Sequence, residues 1–162
     1  TERNHQIDDG VYAATNDPQA PTIAPKRQDP APYLNWAPLR NAVEALRRAA
    51  DDYEAAVMKA HDNGGSMLSR AAVAGVNAKL MQAERTLTSE AGLPKRPWYK
   101  HLLYAPGFYT GYGVKTMPAA REAIEQGWWA EADAELARIA AAIEAQARLV
   151  RSATDALHAA TR

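Results

Sequence analysis

Near its end the chain repeats a large apolar residue every seven positions, at Leu136, Ile143, Val150 and Leu157. A second set of residues occupies the other position of the same repeat that faces the partner helices: Ala132, Ile139, Gln146 and Ala153. A repeat of 3.5 residues is typical of an α-helix that packs along other long helices. The pattern predicts a helix from about 129 to 160, roughly 45 Å long at the usual rise per residue. Such a helix needs partner helices to cover its apolar stripe.

An earlier stretch, from about 37 to 61, also has helical periodicity. Its apolar residues recur at steps of three and four: Leu39, Val43, Leu46, Ala50, Tyr53 and Val57. Pro38 suits the first turn of a helix, where the N–H that proline lacks would have no partner. The Asp-Asn-Gly-Gly sequence at 62–65 ends the helix. The spacing predicts a single apolar stripe that faces the core.

A second helix is predicted after this turn, with Ser66 as a candidate N-cap. Its apolar stripe is Leu68, Ala72, Val76, Leu80, Ala83 and Leu87. Gly92 and then Pro94 terminate it in the order typical of a helix C-terminus. The first two helices then have similar lengths and are expected to form an antiparallel hairpin.

A short third helix begins near Pro118, with Ile124 on its inner face, and Gly127 ends it before the long final helix. No stretch has the alternation of apolar and polar residues that predicts a strand. The chain has 36 Ala among 162 residues, and Ala favours helix because it loses no side-chain entropy there. The prediction is an all-α fold, an antiparallel helical bundle.

The first 32 residues differ in composition from the rest. Five prolines fall within residues 18–32, and each pushes the residue before it toward an extended conformation. Residues 2–14, by contrast, have weak helical spacing and could be the end of an upstream helix. We therefore expect a Pro-rich extended arm over 1–32 and a helical domain over 33–162. Because the chain begins at Thr1 without an initiator Met, we expect it to be a fragment or a processed piece.

Charge and cysteine content exclude several classes of protein. Lys and Arg number 19 and Asp and Glu number 19, so the formal net charge is zero and the general attraction for nucleic acid is absent. No apolar run approaches the roughly 20 residues of a membrane-spanning helix. We expect neither a nucleic-acid partner nor a membrane segment. The chain has no Cys, which leaves its cellular compartment open.

A long irregular loop is predicted between the second and third helices, over residues 93–117. It holds the only Phe, four of the seven Tyr and one of the four Trp. Loops of this length are uncommon in compact domains and are usually functional or packed onto something. Two interpretations stay open. The aromatic side chains attach the loop to the bundle, or the glycines beside Tyr112 let it present its hydroxyl to a polar ligand such as a carboxylate.

Catalytic patterns are sparse. His5, His61, His101 and His158 are scattered, and none has a short metal-ligand spacing to another ligand. We expect this chain to supply neither a catalytic residue nor a metal ligand, and so not to be an enzyme by itself.

The aromatic loop carries a family resemblance. Leu-Pro-Lys-Arg-Pro-Trp-Tyr-Lys-His at 93–101, Leu-Tyr-Ala-Pro at 103–106, and then Tyr112 and Pro118 resemble the transferrin receptor-like dimerisation domain. This is the C-terminal helical domain of glutamate carboxypeptidase II and the transferrin receptor. Residues 34–39 and 83–85 also resemble the family, so the similarity covers about 33–160.

The resemblance implies a larger parent protein. In this family a peptidase domain with two zinc ions and an inserted apical domain precede the helical domain, which makes most of the homodimer contact. Zinc is therefore an expected cofactor of the parent's peptidase domain and a peptide its substrate. Relatives tend to act outside the cytoplasm, which implies a periplasmic or secreted location.

The resemblance also assigns a role to the loop, which closes over the peptidase cleft in such proteins. There a tyrosine and a neighbouring lysine bind the carboxylate of the substrate's C-terminal residue. Aligned through Tyr-Ala-Pro at 104–106, the tyrosine falls on Tyr112 and the lysine position holds Gly111. The cation is therefore missing, and we expect Lys115 not to replace it. The alternative to a peptidase's dimerisation domain is a stand-alone helical protein-interaction module.

Overall fold

The computed structural model describes residues 2–21, 23–62 and 68–161. It divides into two compact units, residues 1–33 and 34–162. The first contains α1 (Glu2–Asp8) and α2 (Val11–Ala14), which Gly10 separates with a φ of 68°. The Asn4 side chain exchanges two hydrogen bonds with the backbone of Gln28, both 2.8 Å long. The short helices of this unit are therefore tied to its proline-containing segment.

One long helix organises the second unit. This helix, α7 (Trp129–Ala160), contacts the other helices of the unit: α3 (Ala37–Asp62), α4 (Arg70–Leu80), α5 (Ala83–Thr86) and α6 (Pro118–Glu125). The predictions of helices at 129–160 and 37–61 and of an all-α fold are confirmed. Within the described ranges, no helix combines the length and apolarity needed to cross a bilayer.

The two longest helices lie parallel. Leu39 near the start of α3 belongs to the same buried cluster as Ile139, whereas Ala60 near its end belongs to the cluster that contains Leu157. The backbone N–H of Asn35, just before α3, donates to the Asp133 carboxylate at 3.0 Å. Both helices run in the same direction. The intervening α4 and α5 run in the opposite direction, so the chain has an up-down-up arrangement.

The buried face of α3 differs from the predicted stripe. Its members repeat every seven residues and include many alanines: Leu39, Ala42, Leu46, Ala49, Tyr53, Ala56 and Ala60. Val43, Ala50 and Val57 were expected in the core but are exposed, with Val43 at 51% and Val57 at 42%. Small alanines let α3 approach α7 closely. The contact between these two helices, which we call the seam, therefore follows the alanines, and the valines lie beside it.

The second helix is shorter than predicted. Ser69 is its N-cap, and the Ser69 hydroxyl accepts from the N–H of Ala72 at 3.1 Å; the predicted cap, Ser66, lies outside the described residues. The helix stops at Leu80, and the short α5 follows a turn, so Gly92 and Pro94 do not terminate it. Val76 of α4 shares a buried cluster with Ala56 and Ala60 of α3, and α4 also packs on α7.

Gly92 instead occupies a tight turn after α5. Its φ is +67°, and a Cβ placed there would lie 2.2 Å from the carbonyl oxygen of Pro97. The turn also holds a short antiparallel bridge between Leu93 and Arg96. Only glycine satisfies both the left-handed backbone and the close approach.

The fold is mostly helical, but a small sheet that was not predicted lies in the aromatic loop. Within the aromatic loop, β1 (Tyr104–Pro106) and β2 (Val114–Thr116) pair antiparallel, with Ala105 opposite Lys115. Strands of three residues are too short to show a clear alternation in the sequence. Pro118 at the first turn of α6 and the left-handed Gly127 after it agree with the predicted short helix.

Candidate functional site

A buried ion pair fixes the aromatic loop to the bundle. The Arg96 guanidinium donates to the Glu122 carboxylate of α6 at 2.5 Å, and their side chains are only 6% and 12% exposed. Arg96 also donates to the carbonyl of Pro106 at 2.5 Å, and Glu122 accepts from the N–H of Phe108 at 2.5 Å. Since these contacts lie at the end of β1, the pair determines where the hairpin tip begins.

The tip of the hairpin spans residues 107–113. The N–H of Gly107 donates to the carbonyl of Gly113 at 3.2 Å, and the Thr110 hydroxyl donates to the same carbonyl at 3.0 Å. Gly111 has a φ of +59°, with open space where a Cβ would lie. The Tyr112 side chain is completely exposed. Both predicted site residues therefore lie at the tip, and Tyr112 projects away from the protein.

Lys115 is engaged elsewhere. Its ammonium donates to the Glu125 carboxylate at 2.5 Å and lies 4.0 Å from Glu122, with the side chain only 11% exposed. To bind a ligand beside Tyr112, this lysine would have to leave both carboxylates. That Lys115 does not replace the cation missing at Gly111 stays a prediction.

A second polar cluster joins α5 to the start of the hairpin. His101 Nδ1 accepts from the N–H groups of Leu103 and Tyr104, both at 3.2 Å, so its Nε2 carries the proton that faces Glu84 at 3.2 Å. The Tyr104 hydroxyl donates to the same Glu84 oxygen at 3.1 Å. The hydrogen bond and the charge of Glu84 raise the pKa of Tyr104 above its ordinary value. Sequence reasoning missed this cluster because its members are distant along the chain.

The exposed valines of α3 form a second apolar face. Val43, Ala50 and Val57, which we call the outer stripe, are seven residues apart and so lie along one line of the helix. Beside Val57, an open groove of about 240 Å³ separates α3 from α4, where Val73 is 43% exposed. Exposed apolar residues grouped on one face in this way are typical of a protein interface.

The opposite side of α3 is charged. A groove between α3 and α7 is lined there by residues that include Asp52, Lys59, Arg151 and Asp155. Charges of both signs on a long helix indicate a solvated face. The contrast singles out the outer stripe as the candidate interaction surface of α3.

Over 2–21, 23–62 and 68–161, no three His, Asp or Glu side chains lie close enough together to hold a metal ion. These residues therefore do not fit the zinc ions expected of the family's peptidase domain.

Curated relatives match short parts of the chain. A protein named as a probable glutamate carboxypeptidase of Arabidopsis thaliana is 52% identical over 50 residues, which cover 31% of this chain and 7% of that protein. An inactive zinc metalloprotease of Schizosaccharomyces pombe is 40% identical over 70 residues, 43% of this chain and 9% of that protein. A protein named as a probable glutamate carboxypeptidase of Arthroderma benhamiae is 38% identical over 71 residues, which cover 44% of this chain and 10% of that protein.

The matched part thus spans a tenth or less of each of these relatives. A family model matches far more of the chain. The transferrin receptor-like dimerisation domain matches residues 34–151, which include α3 to α6, the hairpin and most of α7. The chain therefore belongs to the transferrin receptor-like dimerisation domain family.

Proposed function

We propose that this chain is a homodimerisation domain. The observation that carries the proposal is the outer stripe, whose apolar residues α7 leaves uncovered. Burying such a face against an identical copy removes apolar surface from water, which is the main driving force of association. The family to which the chain belongs supports this role.

The solution mass tests the homodimer. Light scattering or sedimentation equilibrium of this chain should give twice its mass of 17.6 kDa. A monomer at tens of micromolar protein would contradict an autonomous dimerisation domain. Changing Val43 and Val57 together to Ser should lower the dimer fraction, while the paired control Ala55→Ser, on the charged side, should leave it unchanged.

The relatives support a proposal about the protein to which this domain belongs. We propose that the parent protein is a zinc metallopeptidase of the glutamate carboxypeptidase type, whose peptidase domain binds the zinc ions and cleaves a peptide. Support comes from the names of the relatives and from the small fraction of their length that aligns. The alternative is a stand-alone helical interaction module. The reading frame before Thr1 distinguishes them, because only the peptidase requires an encoded zinc-binding domain there.

We further propose that the hairpin tip helps to close the substrate cleft of the parent. Tyr112 supports this because its hydroxyl is fully exposed on a tip that the buried Arg96–Glu122 pair fixes in place. Gly111 supplies no cation, and Lys115 is bound to Glu125. The tip therefore offers a hydrogen-bond donor without a nearby charge, and supports no specific preference for C-terminal glutamate.

Kinetics of the parent test the role of the tip. Tyr112→Phe should raise KM, with about 1 kcal/mol lost for one neutral hydrogen bond. Tyr109→Phe is the matched control, because Tyr109 is also exposed on the tip at 74%. Equal kinetics for the two variants would remove Tyr112 from substrate binding without affecting the homodimer.

A further inference from the structure

The outer stripe has the spacing of a helix-pairing surface. Val43, Ala50 and Val57 recur every seven residues, and the half-buried Leu46 and Tyr53 lie between them at steps of three and four. Positions spaced in this way are the two apolar positions of a heptad repeat. The stripe therefore fits another long helix that lies nearly parallel or antiparallel to α3.

We propose that α3 packs antiparallel against α3 of a second copy, about a twofold axis that passes beside Ala50. This inference rests on the proposed homodimer and names its contact surface. A twofold axis at Ala50 places the two Ala50 side chains together and sets Val43 opposite the partner's Val57. Because Ala50 is the smallest member of the stripe, the helices approach most closely at its centre.

The charges beside the stripe favour the antiparallel direction. Arg47 and Glu54 occupy equivalent flanking positions of the two heptads, on the solvent side of the stripe, and both are exposed. In an antiparallel pair centred at Ala50, Arg47 lies near the partner's Glu54, and Glu54 near the partner's Arg47. A parallel pair in register would instead place these residues of the two copies on opposite sides of the contact, so that neither pair of opposite charges would meet. Interhelical charges at such positions set orientation.

The groove beside Val57 supplies a place for the partner's side chain. It opens between α3 and α4, and its lining is mainly apolar, with Val57, Val73 and Val76 among the residues that form it. Antiparallel packing brings the partner's Val43 to this groove, and the symmetry repeats the contact at the other end. The proposed dimer thus covers Val43, Val57 and Val73 together, the exposed valines of α3 and α4.

Cysteine crosslinking tests the axis directly, since the chain contains no Cys. The Ala50→Cys variant should form a disulfide-linked dimer under mild oxidation, because the two thiols meet at the axis. The Ala55→Cys variant is the matched control, as this exposed residue lies on the charged side of the same helix. Equal crosslinking of both variants, or crosslinking of Ala55→Cys alone, would overturn the proposal.

Mixing two charge variants tests the direction of the helices. Arg47→Glu and Glu54→Arg should each raise the dimer dissociation constant about tenfold, because each creates two like-charge contacts. Arg47 also pairs with Glu44 at 2.7 Å within its own helix, so each variant could lose affinity for a local reason. A mixture restores both opposite-charge contacts across the interface and leaves these local effects unchanged. If the mixture had a dimer dissociation constant no lower than that of either variant alone, the antiparallel arrangement would be overturned.

Light scattering on the same samples separates the two proposals. A twofold mass without Ala50→Cys crosslinking would mean that the homodimer exists and uses another surface. A monomeric mass for the unmodified chain would overturn the homodimer and this contact together. The stripe would then be a surface on which another domain of the parent packs.

Discussion

The carboxylate of Glu122 binds the guanidinium of Arg96 at 2.5 Å, and both side chains are nearly excluded from solvent. The two residues are 26 positions apart, so the contact joins the segment before the hairpin to α6. A buried pair is not by itself stabilising, since both charges lose their hydration. Its role here is to specify position, because Arg96 and Glu122 also bind the backbone of Pro106 and Phe108.

Removing one charge of this pair should be costly. Glu122→Gln keeps the size of the side chain but leaves the Arg96 charge buried without its counterion, and we expect a loss of about 3 kcal/mol in the free energy of unfolding. Urea denaturation measures this loss. Glu144→Gln is the control, because Glu144 pairs with Arg148 at 3.8 Å on an exposed helix face, where such pairs contribute no more than about 0.5 kcal/mol. Equal losses for the two variants would contradict the role of the buried pair.

Local patterns predicted the long helices well. The seven-residue repeat of α7 and the position of Pro38 in α3 depend only on neighbours along the chain, and the structure confirms both helices. The Arg96–Glu122 pair was missed because a long-range contact leaves no periodic trace. One signal was present: Glu122 is a charged residue beside Ala119 and Ala123, which are buried on α6. A carboxylate on an apolar face indicates a buried partner.

The stripe of α3 shows a different limit. Periodicity correctly indicated apolar residues on one broad side of the helix, yet it could not divide them between two contacts. In the structure α7 covers Ala49 and Ala56 but leaves Val43 and Val57 exposed. Burial is decided by how closely the backbones approach, which small residues permit, and not by the size of the apolar side chain. The candidate interface thus became visible only once the seam was known.

Two glycines should respond in opposite directions to alanine. Gly92→Ala combines a left-handed φ of +67° with a Cβ 2.2 Å from the Pro97 oxygen, and we expect it to destabilise the fold by at least about 1 kcal/mol. Gly75 lies within α4, with open space where a Cβ would be. Gly75→Ala should therefore stabilise by roughly 0.5–1 kcal/mol through helix propensity. Thermal unfolding compares them, and a rise in Tm for Gly92→Ala would contradict the close approach.

The Tyr104 cluster predicts a change at alkaline pH. Because the Glu84 hydrogen bond and charge raise the pKa of Tyr104 in the folded protein, the protonated form is favoured by folding. The associated stability is present below the unfolded pKa of about 10 and is lost as the pH rises through the folded pKa. Glu84→Ala should shift the titration of Tyr104 to lower pH. Phenolate absorbance measures this titration, and the Tyr104→Phe variant identifies which part of the signal comes from Tyr104. If the titration were unchanged in Glu84→Ala, the raised pKa would have to come from another group.

Adjacent alanines of α3 separate the fold from the interface. Ala49 is 1% exposed in the seam with α7, whereas Ala50 is exposed on the outer stripe. Ala49→Leu forces extra methyl groups into a packed seam and should lower the free energy of unfolding by about 1–3 kcal/mol. Ala50→Leu should leave the monomer's folding intact but prevent the close approach of two copies at the proposed axis, so its dimer dissociation constant should rise. Circular dichroism under denaturant measures the free energy of unfolding, and sedimentation equilibrium measures the dimer dissociation constant. If Ala50→Leu unfolded the chain as readily as Ala49→Leu, α3 would have no second face, and the outer stripe would belong to the core after all.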